Sequence, residues 1–280
     1  MKLIQITDIH YVPGKQLLHG LNPYERLTLC IADINTNHGD ADLCVITGDL
    51  AHNGLIEAYK DLRNCLATLS IPYHLMIGNH DNRENIKKIF PETPCDENGF
   101  IQSIVDTTAG RFILLDTVEQ GRNRGSYCEK RRNWLRAVLE ASPDHKIYLF
   151  MHHPPFKIGL PCLDRIRLIN ESDDLYRIIE PHKNIQHIFL GHAHRPVAGS
   201  WNGIPFSILR GTNHQVPFDF DALEVVPKSH EPPSYGVIFL EPNQTTVHFH
   251  DYLDHSVYPY EPNPGRTLRI EIGNEESAPT

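Results

Sequence analysis

The sequence predicts an α/β fold, and three observations carry that prediction. Short apolar runs alternate with helix-period stripes up to about residue 195. Five of those runs end directly in carboxylate, amide or imidazole side chains. Beyond His194 the pattern turns all-β.

Taken in chain order, the run Leu3-Ile4-Gln5-Ile6 leads into Asp8-Ile9-His10. Asn22-Pro23 is a helix start signal, and Leu27, Ile31 and Ile34 form the stripe behind it. Leu43-Cys44-Val45-Ile46 leads into Gly48-Asp49, and a second stripe follows at Ala58, Leu62, Leu66 and Leu69. His74-Leu75-Met76-Ile77 leads into Gly78-Asn79-His80-Asp81. Segments 102–105 and 111–115 predict a hairpin across Ala109-Gly110. Trp134, Leu135, Val138 and Leu139 make the third helical stripe. The run 147–151 then leads into His152-His153, and 185–190 into Gly191-His192-Ala193-His194. In the all-β part, 197–201 and 204–209 flank Asn202-Gly203, a strong hairpin signal, and further strands are expected at 235–240 and 245–252.

With no internal repeat or linker, the expectation is one domain over 1–280. Within it, 1–195 is alternating β/α with the metal motifs, 196–255 supplies second-sheet strands, and 214–234 is a long Pro-rich, acidic loop. Loops of that length in compact domains are usually functional or disordered. A tail is expected at 261–280.

Strands of an open α/β sheet present ligands in the crevice outside their carboxyl ends. If the five strands are neighbours, two aspartates, an asparagine and several histidines converge on one spot. Each motif alone has an ordinary explanation: Gly-Asp is a common turn dipeptide, and an Asp and a His after a strand are often a turn and a surface residue. All five in order, each behind an apolar run, point to a dinuclear metal centre.

The formal net charge of −9 disfavours a nucleic-acid backbone as partner, because that affinity is built by Lys and Arg. Two divalent cations would reverse the sign locally, so an acidic chain can still hold an anion-attracting pocket. The first apolar run starts one residue after Met1, which is expected to leave no room for a signal core, and no stretch approaches the length of a membrane span. Cys30, Cys44, Cys65, Cys95, Cys128 and Cys162 form no C-x-x-C pair, and three of them sit among apolar neighbours. Reduced thiols and a cytoplasmic location are expected.

Taken together, Asp8-x-His10, Gly48-Asp49, Gly78-Asn79-His80-Asp81, His152 and Gly191-His192-x-His194 resemble the motif series of the calcineurin-like metallophosphoesterase superfamily, over nearly the whole chain. Thr7-Asp8-Ile9-His10, Met151-His152-His153-Pro154-Pro155 and Gly211-Thr212-Asn213-His214-Gln215-Val216-Pro217 look closer still to its bacterial cyclic nucleotide and glycerophosphodiester phosphodiesterases. The resemblance implies a four-layer αββα sandwich of two mixed β-sheets flanked by helices. It implies one metal held by Asp8, His10, Asp49 and His194, and another by Asp49, Asn79, His152 and His192, with Asp49 bridging. It sets His80 beside the phosphate and His214 near the pocket.

The chemistry asks for the same arrangement. Two cations roughly 3.5–4 Å apart can generate a hydroxide and stabilise an in-line displacement at phosphorus. Oxygen and imidazole ligands without thiolate suit Mn, Fe, Co or Zn. The expected function is hydrolysis of a small-molecule phosphodiester, a 3′,5′-cyclic nucleotide or a glycerophosphodiester, by a homo-oligomer. A phosphomonoesterase, a nuclease and a non-catalytic metal-binding scaffold are the alternatives. Softer expectations concern Asp81 (orienting His80, or capping its turn), His153 (packing), Arg195 and Asn53 (surface, or reaching the pocket). Val12-Pro13-Gly14-Lys15 lacks the full phosphate-loop pattern.

Overall fold

The chain begins with β1 (Lys2–Ile6) and α1 (Pro23–Asn37), followed by β2 (Leu43–Thr47), α2 (Ile56–Leu66), β3 (Tyr73–Met76) and α3 (Arg83–Ile89). The computed structural model describes residues 1–256, so the tail expected at 261–280 lies outside the described residues. The Asn22 side chain accepts from the Tyr24 and Glu25 amides and Pro23 stands at the first helical position, so the start signal read for α1 is a working N-cap. The 102–115 hairpin is β4 (Ser103–Thr107) and β5 (Gly110–Leu115). There follow α4 (Glu129–Glu140), β6 (Ile147–Met151), α5 (Pro161–Asp164), α6 (Ser172–Ile179) and β7 (Ile185–Leu190). The all-β part is β8 (Val197–Trp201), β9 (Ile204–Ile208), β10 (Tyr235–Glu241) and β11 (Gln244–His250).

These strands form two sheets, in the orders β11-β10-β1-β2-β3 and β4-β5-β6-β7-β9-β8. The five ligand-bearing strands are therefore not neighbours in one sheet: β1, β2 and β3 lie parallel in the first, β6 and β7 parallel in the second. The sheets meet face to face through Leu3, Val45, Met76 and Ile238 on one side and Phe112, Leu114, Phe150 and Phe189 on the other. Outer faces are covered by helices. Ile4, Ile6 and Ile46 pack under Leu27, Ile31 and Leu62, while Ile113, Leu149 and Ile188 pack under Leu135, Leu139 and Ile179. The result is an αββα sandwich of mixed sheets. β2 and β6 are buried at every position because both their faces are covered, which is why they read as unbroken apolar runs.

One polar side chain ties the sheets together beneath the site. Buried Gln5 on β1 donates to the Thr47 hydroxyl on β2 and to the Leu190 carbonyl on β7, each at 3.1 Å. Leu69 lies beyond the end of α2 yet packs in the same core. The 214–234 segment is irregular, as expected, apart from one antiparallel bridge between Gln215 and Ser229. No helix among the described residues is long and apolar enough to cross a membrane.

Candidate metal centre

The carboxyl ends of β1, β2, β3, β6 and β7 open onto one spot, and the backbone there is strained. Asp8, His10, Asp49, His192 and His194 all have positive φ, between 49° and 71°. Non-glycine residues in this region cost of order 1–3 kcal/mol each and persist where the surroundings over-determine them, commonly at functional sites. The surroundings here are specific hydrogen bonds: the Asp8 amide donates to Gly48 O, the His10 amide to Asp49 O, and the His192 amide to the Asp8 carboxylate at 3.0 Å. Gly78 is required by close approach, since a Cβ there would stand 2.2 Å from Asp49 Oδ1.

Two groups of ligand atoms share Asp49. In the first, His10 Nε2 and His194 Nε2 are 3.0 Å apart. Asp8 Oδ1 is 3.4 Å from His194 Nε2, and Asp49 Oδ2 is 3.4 Å from His10 Nε2. In the second, Asp49 Oδ2 is 3.4 Å from His152 Nε2, and Asn79 Oδ1 is 2.9 Å from His192 Nδ1. Asp49 Oδ1 is occupied separately, accepting from the His80 amide at 2.8 Å.

Remote ring nitrogens fix which atom faces inward. His152 Nδ1 donates to Thr47 O at 2.8 Å, and His194 Nδ1 to His214 O at 2.7 Å, so each presents Nε2 to the centre. His10 Nδ1 meets His52 Nδ1 at 3.2 Å. His152 Nε2 and His192 Nε2 are buried with no hydrogen-bond partner. His152 Nε2, without a hydrogen-bond partner and 3.4 Å from Asp49 Oδ2, is a donor atom that a divalent cation would complete.

The electrostatics agree. Burial holds His10 and His192 well below the usual imidazole range, so both offer lone pairs at neutral pH. Burial works to raise the Asp49 carboxyl, but the His152, His80 and His10 imidazoles outweigh it and hold it well below the usual carboxylate range. Burial also opposes charging His152, yet the Asp49 and Asp8 carboxylates push it up to about 9, so this ring competes for a proton when no cation is bound.

The flanking expectations divide. His80 lines the cavity above the centre, its Nδ1 donating to His52 O at 2.7 Å. Asp81 does not orient His80. Its buried carboxylate instead accepts from the Gly78, Leu50 and Ala51 amides and from the Tyr59 hydroxyl, which makes it a turn clamp. Burial and the nearby Asp49 charge push its pKa up to about 6. His153 packs beside the centre and pairs with the Thr117 hydroxyl at 2.7 Å. His214 lies buried against His10 and His194, with ring centroids 4.9 and 4.6 Å away. Arg195 turns from the pocket to pair with Glu231 and Val216 O, and Asn53 is exposed outside it. The Pro13–Lys15 segment is a single 3-10 turn whose Gly14 amide donates to the Asp61 carboxylate, so it faces an acid rather than a phosphate.

Sequence reasoning missed His19, His52 and Lys228, which line the same cavity of about 580 Å³ as Asp49, Asn79 and His80. None of them follows an apolar run, so no local signal marked them. The lining of the cavity also includes the apolar side chains of Leu163, Ile166, Val216 and Val226.

Fold and site together define a metal-dependent phosphoesterase of the calcineurin type. Residues 1–196 match the family model described as calcineurin-like phosphoesterase, and the chain belongs to that family. It is 42% identical over 251 residues to a Rhodopseudomonas palustris protein named "Probable cyclic nucleotide phosphodiesterase", covering 89% of this chain and 91% of that one. It is 30% identical over 262 residues to an Arcobacter nitrofigilis protein named "Probable glycerophosphodiester phosphodiesterase", covering 93% and 96%. Among solved structures, a dimetal phosphatase from Danio rerio shares the fold at a TM-score of 0.67 with 15% identity, over 90% of this chain and 96% of that one.

Proposed function

We propose that this chain is a dinuclear metal-dependent phosphodiesterase acting on a small-molecule phosphodiester. The observation that carries the proposal is Asp49 Oδ2, which stands 3.4 Å from both His10 Nε2 and His152 Nε2 and so belongs to both ligand groups. Asp8, His10, Asp49 and His194 would hold one ion; Asp49, Asn79, His152 and His192 would hold the other. The donor set of carboxylate, imidazole and amide suits Mn, Fe, Co or Zn. When bound, such a pair supplies Lewis-acid charge to the phosphoryl oxygens and makes a water acidic enough to serve as nucleophile near neutral pH.

The chain's own residues do the rest. Asp49 sets the spacing of the two groups. His80 is tied through Nδ1–H to the His52 carbonyl, so its Nε2 donates only when the ring is doubly protonated. In that form it hydrogen-bonds a phosphoryl oxygen or hands a proton to the leaving alkoxide. The apolar side chains of the lining exclude water from the non-phosphate part of the substrate.

The 42% identical relative makes a 3′,5′-cyclic nucleotide the first substrate to test, and the 30% identical one keeps a glycerophosphodiester beside it. We further infer a cytoplasmic location from six free cysteines, four of them buried. We infer a homo-oligomer from the exposed apolar side chains Phe218, Phe220, Leu223 and Val225. The deciding experiment is a hydrolysis panel on Mn-loaded protein: cyclic AMP, cyclic GMP, glycerophosphocholine, bis-p-nitrophenyl phosphate and p-nitrophenyl phosphate. Turnover of the diesters supports the proposal. Turnover of the monoester alone would make it a phosphomonoesterase, and none at all a scaffold.

A further inference from the structure

Lys228 is the cation that the site itself does not explain. It lines the cavity with Asp49, Asn79, His80 and His192, yet among the described residues it makes no hydrogen bond or ion pair. The other cationic residue on that lining, Arg165, donates from its guanidinium to Leu223 O at 2.9 Å. Lys228 is solvent-accessible, but it stands in a concavity. Desolvation by the cavity walls lowers its pKa, and the attraction of Asp49 and Asp8 does not fully offset this.

The three residues that follow Lys228 are tethered to the site. Ser229 exchanges two hydrogen bonds with Gln215, at 2.8 and 2.9 Å, next in the chain to His214. His230 Nε2 donates to His19 O at 2.7 Å. Glu231 pairs at 2.9 Å with Arg195, which follows His194. These contacts hold the chain next to Lys228 against the site whose cavity it lines.

Two divalent cations beside a partly desolvated ammonium leave a local excess of positive charge that an anion must balance. Lysine acts as a point charge suited to phosphate oxygens. We propose that Lys228 is a substrate-binding residue, whose ammonium pairs with an anionic phosphoryl oxygen of the bound diester and of the phosphomonoester product. This rests on the phosphodiesterase reading above.

The test uses the full chain loaded with Mn, as wild type, Lys228→Gln and Lys228→Arg. Calorimetry gives the Kd for inorganic phosphate, steady-state kinetics the KM for bis-p-nitrophenyl phosphate, and elemental analysis the metal content. Lys228→Gln should weaken phosphate and raise KM by roughly ten-fold, the scale of one charge-assisted hydrogen bond, with metal content unchanged. Lys228→Arg should restore most of that loss. Values for Lys228→Gln within about two-fold of wild type would overturn the proposal, and so would loss of bound metal in that variant. If the wild type hydrolyses no diester, the phosphodiesterase reading fails by itself, and the phosphate Kd still decides the role of Lys228.

Discussion

The Nε2 atoms of His10 and His194 face each other at 3.0 Å inside a ring closed by the Asp8 and Asp49 carboxylates. His194 Nδ1 is tied to the His214 carbonyl, so its Nε2 carries a lone pair, and burial keeps both imidazoles below their usual pKa. A single shared proton would join the two nitrogens but leave Asp8 Oδ1 and Asp49 Oδ2, each 3.4 Å from one of them, without a cation between. A divalent cation satisfies all four donors at once, at positions the strained backbone already holds.

The two ligand groups differ in charge, which predicts unequal affinities. Asp8 brings an anion to one group, where Asn79 brings only a neutral amide to the other. Titrating Mn into stripped protein should give two calorimetric steps, with turnover following the weaker. One tight site that already gives full activity would refute this.

Asp49 and His153 are both buried and near the centre, but they should respond differently to truncation. Asp49→Ala removes the shared ligand and should abolish activity with loss of bound metal. His153→Ala loses packing and the Thr117 hydrogen bond, so it should lower thermal stability while retaining its metals. Equal loss of metal in both variants would show that the ligand set is misassigned.

His80→Ala should leave metal content nearly unchanged and reduce kcat for diesters by about 10²–10⁴, the range for general acid–base assistance. Should Nε2 protonate the leaving oxygen, the loss will shrink for p-nitrophenolate, which departs without a proton. Should it stabilise phosphoryl charge, good and poor leaving groups will suffer alike. Loss of a full metal equivalent would make His80 a ligand instead.

His187 predicts a pH dependence of stability away from the centre. It is buried on β7 with Nε2 3.0 Å from the Ser207 hydroxyl, and desolvation lowers its pKa from 6.5 to about 4. The unfolded chain binds the extra proton first as pH falls. The contribution is therefore present above 6.5 and is lost progressively as pH falls through about 4. Urea unfolding at pH 7 and pH 5 should show wild type losing roughly 2 kcal/mol more than His187→Gln. Equal losses would mean that His187 carries none of the effect.

The ligand motifs were legible because each sits in the first residues after an apolar strand, where local spacing suffices. The division into two sheets was legible only through the family resemblance, as a strand covered on both faces reads the same in either. Asp81 shows the same limit: its partners Leu50 and Tyr59 lie 31 and 22 residues away, so sequence adjacency pointed to His80 instead. His52 reaches His10 across 42 residues, and Lys228 is carried in by a loop whose anchor, Glu231 on Arg195, spans 36. Those distances are set by tertiary packing, which no motif encodes.

Anomalous scattering from crystals of the Mn-loaded protein would show whether Asp49 bridges two metal ions. Two peaks should appear roughly 3.5–4 Å apart, one beside Asp8, His10 and His194, the other beside Asn79, His152 and His192, with the Asp49 carboxylate between them. A single peak under saturating metal, or a pair that does not share Asp49, would contradict the bridge.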